Sequence, residues 1–128
     1  MGELETWTLE CIKKFSKMDV DYLLGLFDDD ATIYEPFSST GMVSGLAEIE
    51  SFLKVFCKYS SFVTDMRTVK ISIMQNTPNS TTAIVNLRKG MDAKFALDFD
   101  FIELSEPKGK KKRKIKKLRV RPHPSPDT

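Results

Sequence analysis

Residues 18–37 carry the clearest structural signal in the chain, and they read MDVDYLLGLFDDDATIYEPF. Asp19 is suited to cap a short helix, because its side chain can accept a hydrogen bond from the first helical turn. The leucines that follow supply an apolar side for that helix, and the three aspartates 28–30 are expected to end it. Residues 31–35 then have the composition of a strand, which Pro36 closes.

The segments on either side of this stretch have the apolar spacing of amphipathic helices. Before it, apolar residues from Leu4 to Phe15 recur at three- and four-residue steps, which predicts a helix over residues 3–17. After it, Gly45 opens a third helix with Ile49 and Phe52 on one stripe.

Beyond residue 59 the apolar period changes from that of a helix to two, the period of a half-buried strand. Strands are predicted near residues 69–73, 83–87, 94–104 and 115–120, with turn-forming residues between them. Helices on one side of a strongly bent, mostly antiparallel sheet give an α+β class. We expect one domain over residues 1–121 and a flexible proline-rich tail over 122–128.

Composition narrows the class of protein further. The chain has 128 residues, of which 41% are hydrophobic, enough for one core. No stretch resembles a signal peptide or a membrane span, and Cys11 and Cys57 fit reduced core thiols. We therefore expect a cytoplasmic protein with no membrane partner. With its one histidine, His123, in the tail, the chain is expected to hold neither a metal nor a cofactor.

The segment 18–32, the Glu35-Pro36-Phe37 triplet and the spacing of Gly45, Ile49 and Phe52 together resemble the front half of SnoaL-like proteins and ketosteroid isomerases, of the nuclear-transport-factor-2-like superfamily. The resemblance implies a cystatin-like α+β cone, in which three N-terminal helices and a curved sheet enclose an apolar pocket. This fold hosts isomerases, cyclases, dehydratases and binding modules, so it does not choose among them.

Carried over residue by residue, the resemblance implies a catalytic base at Glu35 and an oxyanion-hole aspartic acid at Asp100, with Asp98 as the alternative if the register slips. The tyrosine that completes the oxyanion hole falls on Cys11, whose thiol is a weak hydrogen-bond donor. True ketosteroid isomerase activity is therefore not expected. The pocket wall is expected to include Trp7, Cys11, Phe15, Ile33, Phe52, Phe56, Asp98 and Ile102.

The strand near residues 94–104 has two contrasting faces. Asp98, Asp100 and Ile102 alternate with four apolar residues, Phe95, Leu97, Phe99 and Phe101. If the acidic face lines the pocket, the apolar face is expected to be covered by a second copy, because monomers rarely leave such a patch open. Related proteins commonly dimerise through this surface, so a homodimer is predicted. If the apolar face is turned inward, Asp98 and Asp100 are simply solvated.

The last predicted strand is strongly basic. Residues 108–121 hold ten basic residues and no acidic one, which leaves the rest of the chain with 10 basic and 18 acidic residues. One interpretation is a solvated hairpin tip and an edge strand that lysines protect from pairing. The other is contact with an acidic partner, in the nucleus if the organism is eukaryotic; nucleic acid is not favoured, because no aromatic residue interleaves the run. The patch comprises Lys110, Lys111, Lys112, Arg113 and Lys114.

The sequence thus favours a small-molecule pocket protein that binds a mostly apolar ligand, with acid–base isomerisation or cyclisation by Glu35 and Asp100 as its candidate reaction. Two alternatives stay open. One is a non-catalytic homodimerisation or adaptor domain, and the other is a binder of anionic partners through residues 108–121.

Overall fold

A computed structural model describes residues 2–15, 19–36, 39–59, 69–87, 93–105 and 111–122 of the chain. Its helices are α1 (Glu3–Phe15), α2 (Val20–Leu24) and α3 (Gly45–Tyr59). Its strands are β1 (Phe27–Tyr34), β2 (Met42–Ser44), β3 (Val69–Thr77), β4 (Ser80–Leu87), β5 (Ala93–Ser105) and β6 (Lys111–Pro122). The predicted α+β class and order of elements are confirmed, and β2 is an additional short strand between the predicted first strand and the third helix. The predicted tail lies outside the described residues from residue 123 onward.

The helices begin where the sequence signals predict. The Asp19 carboxylate accepts a hydrogen bond from the Tyr22 backbone N–H at 3.2 Å and so caps α2. Gly45 precedes the body of α3 with a φ of 82°, a left-handed conformation that costs glycine little. Ile49 and Leu53 then bury the inner stripe of α3.

The first strand is longer than the sequence pattern indicates. Asp28, Asp29 and Asp30 were expected to stop the preceding helix, but they lie inside β1. Asp28 accepts a hydrogen bond from Lys116 Nζ at 3.2 Å, and the other two side chains are exposed. Solvation and this ion pair let the strand continue through three charged residues.

The six strands of the described chain form one sheet in the order β2-β1-β6-β5-β4-β3. Neighbouring strands are antiparallel except β1 and β6, which run parallel. The basic strand β6 therefore lies inside the sheet, between β1 and β5. The expectation that it forms a lysine-protected edge is wrong, because its backbone groups pair with both neighbours.

The helices cover one face of the sheet, which we call the inner face; the opposite one is the outer face. α1 packs on β3 and β4, whereas α3 packs on β1 and β2, so the two helices lie over opposite ends of the sheet. Side chains from the central strands fill the space between them.

Candidate functional site

The apolar side of β5 belongs to the core. Phe99 and Phe101 are 1% and 5% exposed, and their rings stack with centroids 5.7 Å apart. Together with Ile115 and Leu118 of β6 they fill the space between the helices. The proposed dimer interface is therefore corrected: Phe99 and Phe101 are core residues, and Phe95 and Leu97 share their inner face by alternation.

Burial falls steadily toward the other end of these two strands. Along β5 the fully buried Phe99 is followed by the half-buried Leu97 and Phe95. Along β6 the buried Leu118 is followed by the half-buried Val120, which is the cross-strand partner of Leu97. The hollow between helices and sheet is thus closed by packed side chains at one end and less tightly covered at the other.

Glu35 lies at this less covered end. It is 4% exposed and alternates with Ile33 on the inner side of β1. Tyr34 is paired with Arg119, so the parallel register carries Glu35 toward Val120. The Glu35 backbone N–H donates to the carbonyl of Gly41 at 3.0 Å, which holds the chain where it turns toward β2.

We call Glu35, Phe95, Leu97 and Val120 the open end of the hollow. Glu35 thus places a nearly buried carboxyl group beside three apolar side chains, which is uncommon for a glutamate. The sequence interpretation placed Phe95 and Leu97 on a dimer face and did not single out Val120. The spacing of Ile115, Leu118 and Val120 was the signal that could have placed Val120 there.

Asp98 and Asp100 lie on the outer face. Asp98 accepts hydrogen bonds from Thr82 at 2.7 Å and Arg121 at 2.9 Å. Burial by itself would raise the pKa of Asp98, but these two hydrogen bonds hold it below its ordinary value of 3.8. Asp100 is exposed opposite Lys117. The sheet therefore separates Glu35 from Asp100, and the predicted two-carboxylate arrangement is not formed.

The residues predicted to form the pocket wall lie on both sides of the sheet. Trp7, Phe15 and Phe52 are half-buried against the core, and Ile33 is fully buried in it. Ile102 and Asp98 were expected inside the pocket, but both alternate with the core residues of β5 and so lie on the outer face. The side chain of Phe56 lies outside the described residues.

Cys11, at the position of the isomerase tyrosine, is 2% exposed. Burial raises the pKa of its thiol to about 11, with smaller opposing effects from the charges of Lys14, which lowers it, and Glu10, which raises it. A thiol in this state is neutral near pH 7. It can pack as an apolar group, but it offers neither a nucleophile nor a strong hydrogen-bond donor.

The basic patch is divided between the two faces of the sheet. The side chain of Arg113 is 13% exposed and donates to Glu3 of α1 at 2.9 Å, on the inner side. Lys112 and Lys114 alternate with it and lie on the outer side. Lys110 and the side chain of Lys111 lie outside the described residues.

An extra residue in β6 sets the direction of the remaining basic side chains. The partners Asp100–Lys117 and Phe101–Ile115 leave Lys116 without an opposite residue, which is a β-bulge. Because of it, Ile115 and Leu118 both face inward although they are three positions apart, and Lys117 and Arg119 face outward.

Within the described ranges, no three His, Cys, Asp or Glu side chains are grouped so that they could hold a metal ion. In the same ranges, no helix has the length and apolar content needed to cross a membrane.

No family model matches the chain, and no curated protein matches it. Solved structures do. A ketosteroid isomerase candidate from Parabacteroides distasonis is 14% identical with a TM-score of 0.61, over 92% of this chain and 86% of that one. A SnoaL-like protein of unknown function from Burkholderia thailandensis is 13% identical with a TM-score of 0.61, over 93% and 92%.

A chain of the yeast complex between the deubiquitinase Ubp3 and its cofactor Bre5 is similar to the same extent. It is 13% identical with a TM-score of 0.59, over 94% of this chain and 95% of that one. At such identities the likeness concerns the fold and does not extend to activity. This chain therefore has the cone fold of SnoaL-like, ketosteroid-isomerase-like and nuclear-transport-factor-2-like proteins, as the resemblance in residues 18–52 predicts.

Proposed function

We propose that this protein binds a small, mostly apolar molecule at the open end of the hollow, with Glu35 as the polar contact. The observation that supports this most directly is the 4% exposure of Glu35 on the side of the sheet that carries Phe95, Leu97 and Val120. Small-molecule sites are typically concave and apolar, with a few placed polar groups that fix the orientation of the ligand. The open end supplies an apolar surface and one polar group of this kind.

Of the four residues that define the open end, Glu35 is the one that can take part in acid–base chemistry. Glu35 can accept a hydrogen bond from a ligand hydroxyl, or take a proton from a carbon next to a carbonyl. The groups that would stabilise the resulting oxyanion are absent at the positions implied by the resemblance, since Asp100 faces outward and Cys11 is a neutral core thiol. Loss of one oxyanion donor alone typically slows such a reaction about 10²- to 10³-fold. We therefore propose ligand binding as the function, and not two-carboxylate isomerisation.

The decisive experiment compares Glu35→Gln with Asp100→Asn. A thermal-shift screen of steroid-like and polyketide-like carbonyl compounds is run on the unmodified protein and on both variants. We expect a compound that raises the Tm of the unmodified protein and of Asp100→Asn, but not of Glu35→Gln. Both substitutions remove one charge from a side chain of nearly the same shape, so Asp100→Asn controls for the loss of charge itself.

A third variant tests the apolar part of the site. Phe95→Ala removes a half-buried ring from the open end. It is expected to weaken the binding of the same compound, because less apolar surface is buried against it. The proposal is wrong if the compound stabilises Glu35→Gln as much as the unmodified protein, or if Asp100→Asn alone abolishes its effect.

A further inference from the structure

A concave site lies on the outer face of the sheet, on the side opposite Glu35. It is a depression of about 330 Å³ that crosses β1, β6, β5, β4 and β3. Four charged side chains line it, two acidic and two basic: Asp98, Asp100, Lys117 and Arg119. Tyr34, Asn76 and Ser80 supply further polar groups at its margin.

Two of the four charges have their partners already. Asp98 is held by Thr82 and Arg121, as described above. The guanidinium of Arg119 lies over the ring of Tyr34, 5.2 Å from its centroid. A cation–π contact of this kind fixes the position of the guanidinium but leaves its N–H groups available to a ligand.

The other two charges are neighbours that do not bind each other. Asp100 and Lys117 are directly opposed across β5 and β6, and both are exposed. Opposed residues of antiparallel strands have Cβ atoms roughly 4.5–5.5 Å apart, so a salt bridge is within reach. Within the part of the chain that the structure describes, neither side chain makes an ion pair or hydrogen bond. The depression therefore presents one free carboxylate beside one free ammonium.

We propose that this depression binds a small zwitterion, such as a free α-amino acid, with the ligand carboxylate on Lys117 and Arg119 and the ligand ammonium on Asp100. Lys117 and Arg119 are two positions apart on one face of a strand, roughly 7 Å along it, so one carboxylate can lie between them. Because Asp98 is already paired with Arg121, the charges left for a ligand are Asp100, Lys117 and Arg119. A ligand that carries both an acidic and a basic group can contact all three.

The test uses the full chain, labelled with ¹⁵N, and three probes that share one side chain. L-glutamine carries both charges, N-acetyl-L-glutamine lacks the ammonium, and L-glutaminamide lacks the carboxylate. We expect L-glutamine to shift the backbone amide signals of residues 98–100 and 117–119 in a saturable manner. Each of the other two probes should bind at least about tenfold more weakly, because one charge-assisted hydrogen bond is lost.

Variants of the unpaired charges make the test specific. Asp100→Asn and Lys117→Gln are each expected to lower the affinity for L-glutamine about tenfold or more. The double variant Asp100→Lys with Lys117→Asp exchanges the charges. It should recover part of that loss with the ligand reversed, and not all of it, because the reversed carboxylate no longer reaches Arg119. Both positions are exposed, so folding is expected to be unaffected, and an unchanged Tm verifies this.

Three results would overturn the assignment. L-glutamine could bind both single variants as tightly as the unmodified protein. N-acetyl-L-glutamine could bind as tightly as L-glutamine, which would make this a plain anion site. Sedimentation could instead show a dimer that Asp100→Asn dissociates. The outer face would then be an interface with a second copy of the chain. Glu35→Gln is expected to leave L-glutamine binding unchanged, so failure here is distinguishable from failure of the function proposed for the open end.

Discussion

The hydroxyl oxygens of Thr8 on α1 and Thr81 on β4 lie 2.8 Å apart, and both side chains are fully buried. Thr8 also donates to the carbonyl of Leu4, one turn earlier in its own helix, at 2.8 Å. Since the single Thr8 proton is used there, Thr81 is the donor in the pair. This buried bond joins the first helix to a strand 73 positions later.

Thr8→Val is expected to destabilise the protein by about 1–3 kcal/mol, because it leaves the Thr81 hydroxyl buried without its acceptor. Adding Thr81→Val removes that stranded donor, so the double variant should be less destabilised than the sum of the two single ones. Urea denaturation of the four proteins measures this coupling. Strictly additive free energies would show that the two hydroxyls do not depend on each other.

Phe99→Ala is expected to cost about 3–5 kcal/mol of unfolding free energy, the usual loss when a fully buried phenylalanine leaves a cavity. Met74 lies on β3 and is 61% exposed, so Met74→Ala is a suitable control and should change stability by no more than about 0.5 kcal/mol. Chemical denaturation followed by circular dichroism measures both. A Phe99→Ala protein of unchanged stability that has lost only self-association would restore the dimer interpretation of this residue.

Acid should remove the contribution of Asp98 to stability. The pKa of Asp98 is lower in the folded protein than its ordinary 3.8, so its stabilising effect is complete above that value and is lost as the pH falls through the folded pKa. We expect the stability difference between the unmodified protein and Asp98→Asn to be constant from about pH 5 to 7 and to shrink below about pH 4. Urea midpoints at several pH values give the comparison. A difference that persists unchanged at pH 2 would contradict the assigned role of Arg121 and Thr82.

Cys11 should resist alkylation in the folded state. With a pKa of about 11, roughly one thiol in a thousand is ionised at pH 8, and its 2% exposure limits access further. In a Cys57→Ser background, iodoacetamide should modify Cys11 at pH 8 only when urea is added. Mass spectrometry after timed quenching follows the reaction, and the urea-unfolded protein provides the reference rate. Equal rates with and without urea would show that the thiol is accessible.

The elements governed by local rules were predictable. Residues near in sequence determine the apolar stripes of α1 and α3. The cap at Asp19 depends on a hydrogen bond from Tyr22, three residues later. Long-range pairing was not predictable in the same way. Three consecutive aspartates indicate a helix end, yet Asp28 is accommodated in β1 by Lys116, which is 88 positions away.

The candidate site was predicted in part. Glu35 followed from the resemblance and lies on the inner side of the sheet. The alternation of residues along β5 places Phe99 and Asp100 on opposite faces of the strand. It does not determine which of those faces is turned toward the helices. That choice depends on where α1 and α3 pack and on the bulge at Lys116, both of which involve distant parts of the chain.

The position of β6 makes it necessary for the continuity of the sheet. Because β6 lies between β1 and β5, removing it would not trim the sheet at its margin but would divide it into β2-β1 and β5-β4-β3. Before β6 pairs with it through Ile115 and Leu118, β1 has only the three-residue strand β2 beside it. The six-stranded sheet is therefore complete only when β6 has paired with β1, which lies more than 75 residues earlier in the chain. Such distant pairing is expected to make folding slow.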